Sequence, residues 1–262
     1  MGLINKENAL KLVLRINPYI FWVIISHIVM KFHFCSLNVQ EIENNIIEEL
    51  RQTEKSLIRW GDGESISLFG GNIYFQTADQ QLQLYLYNIL KNYTDNSSYL
   101  VGMPIFFLNS SNNQLKFIKK EKIWRMTKFV YLFFCNKNAC YCNSFAFRPD
   151  KVNTLKGGVD DPESLWYSFD NLILLHNNKK IYTWVCKKYK DKKIFWVPVP
   201  PKDAFEQFDR ILNSIYEIAK ENYLNKKNSR VLLSVGLTAK ALIYELKEDF
   251  ICYDLGHYFD YI

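Results

Sequence analysis

Asp62 and Glu64 stand two positions apart, separated by Gly63, in the segment Arg59-Trp60-Gly61-Asp62-Gly63-Glu64. Residues two apart on an extended backbone point to the same side, and glycine lets a turn draw them closer still. Paired carboxylates on a loop are hard oxygen ligands. Mg²⁺ and Mn²⁺ take such ligands and leave remaining positions to substrate phosphate oxygens. An ion held there would act as Lewis acid and template for a departing diphosphate. Arg59, at the end of a short apolar run, is placed for a bidentate phosphate contact. The competing reading is a polar turn in which Asp62 caps the next element. Spacing alone leaves both open.

A second glycine turn, Ser234-Val235-Gly236-Leu237-Thr238-Ala239-Lys240, joins an apolar strand to a helix. Free N–H groups at such a helix start bind anions. Thr238 would cap the helix or touch phosphate, and Lys240 would add charge. The turn is neither a G-x-G-x-x-G dinucleotide fingerprint nor a Walker A loop, which argues against an ATP-dependent phosphotransferase. An ordinary capped turn is the alternative. The next strand ends in Asp254, Gly256, His257 and Asp260, and ligands of open α/β sheets bind at such ends. An attacking hydroxyl needs a base within hydrogen-bond reach. His257 is one candidate; Asp254 and Asp260 are the others. The candidate catalytic residues are therefore Asp62, Glu64, His257 and Asp260, with Asp62 and Glu64 also the metal ligands. Arg59, Gly61, Gly63, Gly236, Thr238, Lys240 and Asp254 are the candidate phosphate-binding set.

The elements that must position these residues follow from periodicity. Helical patterns run over 39–55, 79–92, 113–129, 203–220 and 239–246, and 162–175 with 179–188 reads as a helix pair. Strands are expected at 57–60, 99–102, 141–147, 194–199, 230–234 and 250–253. Strands alternating with helices argue for a Rossmann-like, mostly parallel α/β sheet. The basic stretch 113–129, with Lys116, Lys119, Lys120, Lys122, Arg125 and Lys128, reads as a solvated face or one that meets acceptor phosphates or lipid.

With 262 residues, 48% of them hydrophobic, the chain supplies a full core for one large domain. A net charge of +6 is too mild to imply nucleic acid. The C-x4-C-x-C spacing of Cys135, Cys140 and Cys142 fits no usual zinc site, and a reducing cytoplasm is the simplest compartment. Residues 16–30 form an apolar helix flanked by Lys6, Lys11, Arg15 and Lys31. It is shorter than the roughly 20 residues of a membrane span, and no small-residue cleavage site follows. It packs on the domain or lies at the cytoplasmic membrane face. The expected division is an N-terminal extension, 1–38, and an α/β domain, 39–262.

Taken together, the motifs resemble those of the bacterial GT-D-type glycosyltransferases: R-[FY]-G-D-G-E (Arg59 to Glu64), S-x-G-x-T-A-K (Ser234 to Lys240) and a D-x-G-H-x-D ending (Asp254, Gly256, His257, Asp260). A P-x-K-x-A-F element is matched by Pro200-Pro201-Lys202-Asp203-Ala204-Phe205. The likeness covers residues 40–262. It implies a Rossmann-like catalytic domain in which Asp62 and Glu64 bind the metal and diphosphate of a UDP-sugar. It also implies an acceptor that is a glycoprotein, a capsule or polysaccharide precursor, or a lipid-linked glycan, made near the inner membrane or with other assembly enzymes. Two departures stand out. Trp60 replaces the usual Phe or Tyr. Val199 runs into Pro200-Pro201-Lys202 where many relatives carry a glycine-rich loop, which keeps open an inactive partner in a polysaccharide-assembly complex.

Overall fold

The computed structural model describes residues 18–32, 37, 39–42, 45–116, 120–151 and 161–261. Seven strands form one parallel sheet: β1 (Ser56–Arg59), β2 (Tyr99–Met103), β3 (Cys142–Asn143), β4 (Asn171–His176), β5 (Lys193–Pro198), β6 (Ser229–Leu233) and β7 (Cys252–Asp254), in the order β3-β2-β1-β7-β6-β4-β5. Successive residues serve opposite faces. Ile58, Ile173, Leu175, Val231 and Leu233 join one apolar cluster, and Leu57, Leu172, Leu174 and Leu232 join another. Helices α1 (Pro18–Phe32), α4 (Gln80–Lys91), α7 (Glu121–Phe134), α9 (Phe208–Asn222) and α10 (Thr238–Leu246) cover the first cluster; α2 (Ile46–Thr53) and α8 (Lys179–Lys188) cover the second. Burial on both faces explains why these strands read as continuous apolar runs. Among the described residues there are also three short helices, α3 (Asp62–Leu68), α5 (Ile105–Asn109) and α6 (Asn112–Leu115).

Four sequence expectations need correction. The strand expected over 141–147 is only Cys142–Asn143, after which the chain turns, with Ala146 N–H donating to Asn143 O and Arg148 N–H to Phe145 O. Residues 162–175 are not a helix: a 3₁₀ turn at Pro162–Leu165 leads into β4, which pairs with β5 and β6 along its length. An apolar run such as Leu172 to Leu175 has no periodicity to separate a buried strand from a buried helix. The helix expected at 39–55 begins only at Ile46, where the Asn45 side chain accepts from Ile47 N–H; upstream, Glu41 bridges to Tyr141 and Ile42 N–H donates to Tyr141 O. The basic stretch 113–129 is not one solvated helix. It divides into α6 and α7, Lys128 is wholly buried and donates to Ser110 O, and Arg125 is 5% exposed and paired with Glu121. Lys119 lies outside the described residues.

The apolar N-terminal helix packs on the domain. Trp22 stacks on Phe69 at 5.0 Å, and Met30 is fully buried. Among the described residues no helix is long and apolar enough to cross a membrane. Residues 1–17 of the expected extension lie outside the described residues.

Candidate active site

The carboxyl ends of β1 and β7 lie side by side, and their side chains meet there. Arg59, the last residue of β1, donates from Nε to Ser144 O (2.6 Å) and from Nη1 to Leu255 O (2.7 Å), and its backbone N–H donates to Asp254 Oδ2 (3.2 Å). Asp254, the last residue of β7, is 1% exposed and also takes the Gly256 N–H at 3.2 Å. Gly256 is needed for this approach. Its φ is +52°, and a Cβ there would lie 2.7 Å from Arg59 Nη1.

Helix α3 begins at Asp62, directly after Gly61, which is its N-cap. Glu64, at the third helical position, reaches back to accept the Gly61 N–H at 2.7 Å, half of a capping box. Asp62, at the first helical position, accepts the Gly63 N–H at 3.1 Å. The cap expected of Asp62 is thus supplied by Glu64. Two carboxylates in the first turn also favour the helix dipole.

Lys240, in the first turn of α10, closes the arrangement. Its Nζ lies 2.7 Å from Glu64 Oε1, 2.9 Å from Asp254 Oδ2 and 3.1 Å from Gly236 O. Burial opposes its charge, but Asp254 and Glu64 outweigh that and hold its ammonium above the ordinary lysine range. Burial lowers the Arg59 guanidinium, with Asp254 and Glu64 opposing. Lys120 Nζ pairs with Asp62 Oδ2 at 2.5 Å from across the opening.

These groups line a cavity of about 450 Å³. Arg59, Gly61, Asp62, Gly63, Glu64, Gly236, Lys240, Asp254 and His257 all reach it. Thr238 and Asp260 do not line it. Thr238 is fully buried, and its Oγ1 finds no hydrogen-bond partner among the described residues. Asp260 instead takes His257: Nδ1 to Oδ2 is 2.6 Å, with both side chains exposed. Both line a second cavity of about 570 Å³ that runs past His176, Ser234 and Pro200 to Lys202, the place of the shortened turn after β5. Tyr74, Phe75, Gly236, Gly256 and His257 border both cavities. Gly236 has φ +57° and makes room for the Phe75 ring, which a Cβ would meet at 2.5 Å.

Sequence reasoning missed several wall residues. Arg148 is held by a bidentate pair with Asp150 (2.8 and 3.0 Å). Trp124 stacks on Phe107 at 3.8 Å, and Phe145 and the segment Asn72 to Phe75 complete the wall. The Gly70-Gly71-Asn72 turn before two adjacent aromatics was the available signal for that segment.

Asp62 and Glu64 were expected to bind a divalent ion. Among the described residues no group of three or more His, Cys, Asp or Glu side chains stands together as a ready metal centre. Glu64 is committed to Lys240 and Gly61, whereas Asp62 is one-third exposed and faces the cavity. The donor set therefore fits an ion that brings most of its ligands with it, as Mg²⁺ or Mn²⁺ does on a diphosphate.

A family model described as the glycosyltransferase GT-D fold matches residues 57–261. The chain is similar to a solved structure of domain of unknown function 1792, with 24% identity and a TM-score of 0.65, covering 89% of this chain and 82% of that one. A second structure, described as showing that this highly conserved domain has a distinct glycosyltransferase fold, matches with 24% identity and a TM-score of 0.61, covering 81% and 76%. A third, a new glycosyltransferase from Streptococcus sanguinis, matches with 21% identity and a TM-score of 0.64, covering 84% and 82%. At these identities the likeness is one of fold. No curated protein matches the chain.

Proposed function

The chain belongs to the glycosyltransferase GT-D fold family, and from that premise we propose that it moves a sugar from a nucleotide-sugar donor, UDP-linked, to a hydroxyl of a glycan acceptor. The observation that carries this reading is the cavity at the ends of β1 and β7, which Asp62 lines together with four cations, Arg59, Lys120, Arg148 and Lys240. With Glu64 and Asp254 also in the wall and Asp150 paired to Arg148, four positive groups stand against four carboxylates. A diphosphate adds negative charge to that balance, so a divalent ion would offset it.

Asp62 would hold that ion, with Glu64 beside it fixed by Lys240 and the Gly61 N–H. A bound Mg²⁺ or Mn²⁺ would supply neutralisation of the charge that develops on the leaving diphosphate. Lys120 would turn from Asp62 to the phosphates. Trp124 and Phe145 offer apolar wall to the nucleoside. His257, oriented by Asp260, would take the proton of the acceptor hydroxyl. Its position between the two cavities suits a donor in the first and an acceptor in the second. The wall residues Arg59, Gly61, Gly63, Gly236 and Asp254 shape the phosphate side.

The test is a thermal-shift screen of UDP-sugars with and without Mn²⁺, followed by product analysis with each stabilising donor. Stabilisation that needs both nucleotide and ion, lost in Asp62→Asn, is the expected result. No response to any nucleotide sugar would overturn the reading and favour a non-catalytic partner of an assembly complex.

A further inference from the structure

Helix α1 turns Ile20, Ile24 and Ile28 outward, 50%, 51% and 48% exposed. Four-residue spacing sets them on one stripe. The helix's other side is already committed to the domain through Trp22, Val29 and Met30. A helix that is apolar on both faces needs a neighbour on each, and the domain supplies one.

Beside the stripe runs a groove of about 600 Å³ between α1 and the start of α7, walled by Ile20, Val23, Ile24 and Met126 and by Lys120 and Lys122. Its carboxylate, Glu121, is taken by Arg125 at 2.6 Å. Lys122 is exposed, and Lys31 stands exposed in the last turn of α1. Lys120 and Ile123 line both this groove and the candidate catalytic cavity, so the apolar face and the cavity adjoin.

We infer that this face of α1 docks on an anionic lipid bilayer. Apolar residues on one stripe with lysines beside them are what an interfacial helix presents to an acidic leaflet. A second copy of the chain would bring Lys31 and Lys122 against their own kind across a two-fold contact. The N-terminal segment of the chain is also cationic, with Lys6, Lys11 and Arg15 against Glu7. Charge therefore favours the leaflet over either. The inference deepens the transferase reading, and rests on it, only in its consequence: the cavity mouth would meet a lipid-linked acceptor at the surface.

The test is flotation of the full chain with vesicles of phosphatidylcholine alone and of phosphatidylcholine mixed with phosphatidylglycerol. The protein is expected to rise with the mixed vesicles and stay behind with the neutral ones. Ile20→Asp combined with Ile24→Asp should cut the floating fraction about tenfold, as loss of apolar insertion requires. Lys122→Glu should also reduce it, and that exposed substitution keeps the question open to test should the double variant fail to fold. Failure to rise with the anionic vesicles, or equal flotation by folded variants, would overturn the inference. So would a dimer in sedimentation that the isoleucine variants dissolve. UDP binding with Mn²⁺, measured without vesicles on the same samples, reports separately on the transferase reading.

Discussion

The ammonium of Lys240 lies 2.7 Å from Oε1 of Glu64, so the lysine of the last βα turn neutralises the acid of the first. The same ammonium reaches Asp254 at 2.9 Å, and all three side chains are buried. Removing one partner of a buried ion pair leaves uncompensated charge and costs about 3–5 kcal/mol. Lys240→Met should therefore destabilise the protein by that amount in urea unfolding. Adding Glu64→Gln to Lys240→Met should recover part of the loss, since one stranded carboxylate then disappears. A double variant less stable than Lys240→Met alone would count against a stranded Glu64 carboxylate as the source of the loss.

Asp62 and Lys120 form a different kind of pair. Their side chains are 33% and 54% exposed, and exposed pairs contribute about 0–1 kcal/mol. Asp62→Asn should leave the unfolding midpoint nearly unchanged while lowering sugar transfer on the order of 10²-fold, the usual loss of one charge-stabilising group. Lys120→Met should leave Asp62 without its competitor and lower the Mn²⁺ concentration for half-maximal UDP binding several-fold, while weakening UDP affinity at saturating Mn²⁺ because a phosphate contact is lost. Titration calorimetry at several Mn²⁺ concentrations separates the two. A higher Mn²⁺ requirement in Lys120→Met would count against competition for Asp62.

Much of this site was legible because its residues sit in strand ends and glycine turns, where local sequence dictates backbone position. Arg59, Gly61, Asp62, Gly63, Glu64, Gly236, Lys240, Asp254 and His257 were all named from motif context and all reach one cavity. What sequence could not give was which charges pair. Lys240 engages Glu64 and Asp254 through three elements distant in the chain, and no periodicity encodes that. Thr238 was expected to cap the helix or touch phosphate, yet it is the first residue of α10 and lies in the core. β4 was lost for the opposite reason: its local pattern is uniform, and only pairing with β5 and β6 defines it.

His257 and Asp260 test the chemistry apart from donor binding. Their contact at 2.6 Å is exposed, so neither substitution should disturb the fold. His257→Gln should lower kcat about 10²–10⁴-fold, the range for a lost general base, with UDP affinity preserved. Asp260→Asn should act in the same direction and less strongly, since it orients His257 rather than accepting the proton. Equal kcat in His257→Gln and the unaltered protein would remove His257 from the reaction.

His176 ends β4 beside the second cavity and provides a stability test in acid. Its Nδ1 accepts the Asn178 N–H at 2.9 Å, and its ring packs edge-on against Phe259. Burial lowers its pKa below the ordinary 6.5, with Asp260 opposing. The folded state thus prefers the neutral ring, which alone can accept at Nδ1. The sign follows from linkage: the unfolded chain binds the proton more readily, so this contribution is full above about pH 6.5. It falls as pH drops below that value and is gone once pH passes the lowered folded pKa. The urea midpoint of the unaltered protein should therefore decline from pH 7 to pH 5 more steeply than that of His176→Gln, whose amide oxygen accepts at any pH. Parallel declines in the two proteins would show that the acid sensitivity arises elsewhere.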